Sequence, residues 1–199
     1  GLLGYLFGLG AVFAVMTAMA VVSLVALAFI DPKEIDYDAA RGASEKKDVA
    51  GFSVLLTCKP LLVLAATLLL FHLGNGAMLP LLGQSLAAKG YDPSAYTSAT
   101  IIVAQVTMIP MALAAAWIAE KRGYWLVFIL ALVALPIRGA IAAWVGGPIG
   151  LGPVQTLDGV GAGLLGVAVP GLVARIMAGT GRVNFAIGGV MTVQGIGAA

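Results

Sequence analysis

Apolar residues in this chain fall in runs of about 20, and short polar interruptions separate them. Ala11–Ile30, Pro60–Leu82, Ala95–Ala119, Trp125–Val145 and Val154–Ile176 each match the ~20 residues that cross a hydrocarbon layer ~30 Å thick. Phe185–Ala199 begins a further run, and Gly1–Gly10 reads as the tail of an earlier one closed by a tight turn. The runs are continuous and do not alternate, so they predict helices, not strands. Backbone in lipid must satisfy its own hydrogen bonds, and helices do so internally. The expected fold is all-α, a polytopic transmembrane helix bundle. Both ends of the chain lie in apolar sequence, so we read it as truncated at both ends.

The polar segments set the topology. Asp31–Lys59 is the one long hydrophilic stretch, with Asp31-Pro32 expected to cap a short helix, Gly42-Ala43-Ser44 as a flexible centre, and Val49–Leu56 as an interfacial segment or the first turns of the next span. Gly83–Ser94, Glu120–Tyr124, Gly146–Pro153 and Ala178–Asn184 are read as short connections. Segments alternating to one side hold Lys33, Arg41, Lys46, Lys47, Lys59, Lys121, Arg122, Arg175 and Arg182, whereas the other side holds Lys89. Cytoplasmic loops collect Lys and Arg, so the first side is expected inside, in what we take to be a bacterial inner membrane.

Composition agrees: 61% of residues are hydrophobic, 10% charged, and mean hydropathy is +1.05, against about 25% charged in soluble domains. Net charge is +2, which offers no footprint for nucleic acid. Cys58 is the single cysteine and His72 the single histidine, so neither a disulfide framework nor a metal cluster is expected. Gly161–Gly166 satisfies GxGxxG, but without a preceding strand it is no dinucleotide fingerprint. Gly159 and Gly163 form instead a small-xxx-small face for close helix contact. No cofactor and no enzymatic activity are expected.

Ala116-Trp117-Ile118-Ala119-Glu120-Lys121-Arg122-Gly123 lies two spans after the long hydrophilic stretch. Its acid, base and glycine, at Glu120, Lys121 and Gly123, resemble the loop signature of the major facilitator superfamily. Ala116 replaces the usual small glycine, and Tyr124 and Trp125 stand where further basic residues are common. The resemblance implies a secondary transporter of a small solute by alternating access. Residues 1–30 would hold the last span of the N-terminal half, 31–59 the cytoplasmic connection, and 60–199 the C-terminal half, so that the chain covers the sixth to eleventh spans. The missing N-terminal half would belong to the same protein. Glu120, Lys121, Arg122 and Gly123 would act at the cytoplasmic gate.

Ionisable residues within spans cost roughly 2.5–3.5 kcal/mol each on insertion scales and mark function or a packed ion pair. Asp158 and Arg138 are of this kind, on spans joined by a short turn that could bring them together. The resemblance makes the span of Asp158 border the cavity and that of Arg138 peripheral. His72, Asn75 and Leu79 share a helix face beside Gly74, Gly76 and Pro80, and such broken helices point to binding sites. Ser98 and Gln105 are candidates for the same cavity, and Gln155 lies one turn before Asp158. The expected pathway comprises His72, Asn75, Gln105, Asp158 and Arg138, with the proton as coupling ion through Asp158 or His72. A channel or an intramembrane enzyme is the alternative.

Overall fold

The computed structural model describes residues 2–42, 51–91, 93–145 and 147–199. Among them the architecture is all-α. The long helices are α1 (Leu2–Ala28), α4 (Lys59–Gly76), α6 (Pro93–Arg122), α7 (Tyr124–Trp144), α8 (Pro148–Ile176) and α9 (Val183–Ala198). Shorter ones are α2 (Tyr37–Arg41), α3 (Ser53–Thr57) and α5 (Met78–Ala88), which continues the line of α4.

Several boundaries differ from expectation, each for a local reason. Helix α5 runs to Ala88, so the connection expected over Gly83–Ser94 shrinks to a few residues around Gly90, whose φ is +81°. Helix α8 starts at Pro148, where proline's missing N–H is no loss in a first turn, and so absorbs most of the Gly146–Pro153 turn. Asp31 caps a short 3-10 helix, Pro32–Glu34, by accepting from the Lys33 amide. The flexible centre at 43–44 and the start of the 49–56 segment lie outside the described residues. The remainder of that segment enters helix α3, which extended backbone at Cys58 separates from α4.

Helix α1 is apolar on every side, and none of its membrane-length stretch is buried. Its polar side chains are satisfied within the helix: Thr17 and Ser23 donate to the carbonyls of Phe13 and Met19, four residues back. The other helices pack in two groups. Helix α8 lies between α6 and α7, and α4 pairs with α9. A shared core joins the groups, with Leu68, Ala115, Val127, Ala131, Ala168 and Val173 fully buried.

Glycine sets how closely these helices approach. A Cβ on Gly159 would collide with the Ala104 carbonyl oxygen, and one on Gly163 would lie 2.7 Å from that of Met108. Gly197 abuts the Leu69 carbonyl in the same sense. Inside lipid, apolar burial gives helices no preference for one another over the tails, so backbone approach and dispersion hold them.

The ends are polar. Helix α6 carries Lys121 and Arg122 in its last turn, and Lys89 precedes its first. Thirty residues at about 1.5 Å each span about 45 Å, so these charges lie at opposite ends of the bundle. At the Lys121 end, Gly42 and Phe52 close onto the α8–α9 loop and the start of α9. The Gly42 carbonyl accepts from the amides of Gly179 (2.9 Å) and Gly181 (3.4 Å), and Phe52 packs edge-on to Phe185.

Gly163→Ala in the full-length protein is expected to lower stability by about 1–3 kcal/mol, as overpacking does. Gly166→Ala, which meets nothing within 4 Å, is expected to be neutral or slightly stabilising. Thermal melts of the purified variants in detergent check both.

Candidate transport site

The line of α4 and α5 breaks at Ala77. Pro80 has no N–H to continue the ladder, and Gly76 lies so close to α9 that a Cβ would sit 2.9 Å from the Ala198 carbonyl oxygen. Asn75 is thereby held at the last turn of α4, facing the bundle. Leu79 falls beyond the break on α5, so the expected face of His72, Asn75 and Leu79 keeps its first two members only.

Three helices meet at Arg138. This α7 residue is 2% exposed. Its Nη1 donates to the Asn75 Oδ1 of α4 and, at 2.7 Å, to the Asp158 Oδ1 of α8. The Asp158 side chain is 31% exposed, so one partner of the pair is sealed and the other is open. A guanidinium suits this place because it is planar and carries five donors. His72 lies one turn before Asn75. Its Nδ1 donates to the Leu68 carbonyl oxygen at 2.9 Å, since a carbonyl only accepts.

These side chains surround a cavity of about 60 Å³, lined by His72, Asn75, Arg138 and Asp158 with Phe71 and Leu135 among its apolar walls. Its size suits a few water molecules or the polar head of a small solute. Among the described residues two buried side-chain nitrogens have no partner, Arg138 Nε and Gln155 Nε2. Gln155 is 1% exposed and does not line the cavity. Gln105 also stays away from it. The α6 face that meets α8 carries Ala104, Thr107, Met108 and Met111, which leaves Gln105 exposed.

At the charged end, Gly123 turns the chain between α6 and α7 with φ +88°. Lys121 places its Nζ 4.2 Å from the centre of the Trp117 ring. Among the described residues Glu120 makes no ion pair. Tyr124 lies so close against Gly171 that a Cβ there would collide with its ring, and the Arg175 guanidinium stands 4.8 Å above it. No sequence motif marks this cross-helix contact. Its one sequence signal is Arg175 itself, the basic residue of the last turn of α8.

The family model of the Major Facilitator Superfamily matches residues 1–199. This chain belongs to the major facilitator superfamily. Two similar relatives are uncharacterised MFS-type transporters of Mycobacterium tuberculosis, from strains CDC 1551 / Oshkosh and ATCC 25618 / H37Rv. Each is 37% identical over 205 residues, covering all of this chain and 49% of the relative. The chain thus spans about half the length of these curated relatives. No solved structure matches it significantly. Superfamily membership and the long apolar helices make this an integral, multi-pass membrane protein.

Removing one member of a buried pair leaves the other uncompensated. Asp158→Asn is expected to cost about 3 kcal/mol, and Arg138→Met combined with Asp158→Asn to recover most of that. Melts of the two variants and of Arg138→Met alone close the cycle. Equal losses in the single and double variants would contradict the coupling.

Proposed function

We propose that this chain forms the sixth to eleventh spans of a proton-coupled secondary transporter that moves a small solute by alternating access. The observation that carries the reading is the Arg138 node. One sealed cation holds an amide from a broken span and a half-open carboxylate beside a small cavity. A carboxylate that takes and releases a proton needs an opening, and the 31% exposure of the Asp158 side chain leaves one. When Asp158 is protonated its attraction for Arg138 falls, and α8 is freer to shift against α4 and α7. That is the differential contact between two states which a coupled transporter requires.

In this reading residues 31–59 connect the two halves on the cytoplasmic side, and the Glu120–Gly123 turn works at the cytoplasmic gate. Cationic contacts at that end suit a gate because they are exposed and inexpensive to break. Lys121 rests on Trp117 and Arg175 on Tyr124, and exposed contacts of this kind contribute about 0.5–1 kcal/mol each. His72 is the second candidate proton carrier, through its Nε2.

Uptake of a panel of radiolabelled solutes into proteoliposomes of the full-length protein tests the proposal. A transported solute is expected to accumulate when the outside is acidic and to leak away when a protonophore is added. Asp158→Asn is expected to reduce accumulation to the level of empty vesicles while retaining exchange of internal for external solute. Accumulation that ignores the proton gradient, or an Asp158→Asn variant that still concentrates solute, would overturn the coupling.

A further inference from the structure

The hydrogen-bond balance at the Arg138 node is uneven in one direction. Among the described residues the buried side-chain polar atoms without a partner, Arg138 Nε and Gln155 Nε2, are both donors. Gln155 does not line the cavity, so the unmet donor that bears on it is Nε of Arg138, a residue 2% exposed. The two acceptors that Arg138 finds, Asn75 Oδ1 and Asp158 Oδ1, are both taken by Nη1. A buried donor left unmade costs about 1–3 kcal/mol. The cavity beside Arg138 therefore calls for an occupant that brings acceptor atoms.

Charge narrows the class. Besides Asp158 the cavity is lined by Arg138 on α7, its ion-pair partner, and His72 on α4. The α6 segment Pro93–Ala119 and the whole of α9 contain no acidic or basic residue, and the other charge on α8, Arg175, lies in its last turn. With Asp158 ionised and His72 neutral the node carries no net charge, and the carboxylate repels an incoming anion. With Asp158 protonated the node carries one positive charge. That state matches one singly charged head and not a dianion. A guanidinium edge presents two parallel N–H groups, which fit the two oxygens of a carboxylate.

We propose that the cavity between α4, α7 and α8 receives the carboxylate of a small monocarboxylic acid, bound by Arg138 when Asp158 has taken a proton. One proton moves from water onto Asp158 as one anion docks, and both leave on the other side, so no net charge crosses. This assignment rests on the transporter reading above and adds the substrate class.

The test uses purified full-length protein, with propionate, benzoate and hydroxybenzoates as ligands and the matching amides as uncharged counterparts. The acids are expected to raise the melting temperature, more at mildly acidic than at mildly alkaline pH, and the amides are not. Arg138→Lys keeps a cation beside Asp158 but lacks Nε and the planar fork, so it is expected to lose the response. Asp158→Asn is expected to keep a response that no longer depends on pH. Equal stabilisation by acids and amides, or an unchanged response in Arg138→Lys, would overturn the assignment. So would no stabilisation of the wild type, since water alone would then satisfy the donors. If a neutral solute is taken up on a proton gradient while the acids neither bind nor compete, the substrate class fails and the transporter reading stands. If nothing is taken up on a gradient, both fail.

Discussion

A guanidinium with almost no access to solvent, in the middle of an apolar helix, is the constraint to which the rest of this structure responds. Arg138 is 2% exposed, and a charge so placed is tolerated only where partners are close and well oriented. Its two partners come from different helices, Asn75 on α4 and Asp158 on α8. The node therefore ties the α4–α9 pair to the α6–α8–α7 group across a region where lipid itself provides no drive for association. Asp158 remains partly open, so the same contact that organises the bundle can respond to what enters the cavity.

Close helix approach lets those partners reach. Gly159 and Gly163 allow α8 to press against the backbone of α6, and Gly76 and Gly197 do the same for α4 and α9. Larger residues there would push these helix pairs apart. The ends obey a looser rule. Cations there rest on aromatic faces, and Gly42 and Phe52 are fastened to the α8–α9 loop and α9 through the Gly42 carbonyl and the Phe52–Phe185–Arg182 stack. Strong contacts thus sit inside the bundle and weak ones at its rim.

Much of this is legible in the residues themselves. Run length predicts the spans, and the short turn between two of them lets Arg138 and Asp158 meet. Asn75 and His72 announce themselves as polar residues beside Gly74, Gly76 and Pro80. The misplacements have physical causes. Leu79 joins their face only if the helix is continuous, and it ends at Gly76. Gln105 lies outside the small cavity because the glycine contacts of α8 turn the Ala104, Thr107 and Met108 face of α6 inward. Helix ends fall short in the sequence because Pro148 and Pro153 read as breakers, although one starts a helix and the other is carried within it. Tyr124 against Arg175 and Gly171, and Gly42 against the α8–α9 loop, depend on pairings distant in sequence that no local pattern encodes.

Alternating access requires that water reach the Arg138–Asp158 node from one side of the membrane at a time. Ala162, exposed on the cavity wall, reports on this most directly. In full-length protein with Cys58→Ser, Ala162→Cys should react with a membrane-impermeant thiol reagent, and the side from which it reacts should change when solute or a proton gradient is applied. A cysteine at Ile102, exposed on α6 and absent from the cavity wall, provides the unreactive reference. Labelling of Ala162→Cys that matches this reference under every condition would contradict alternating access and make the node a sealed packing element.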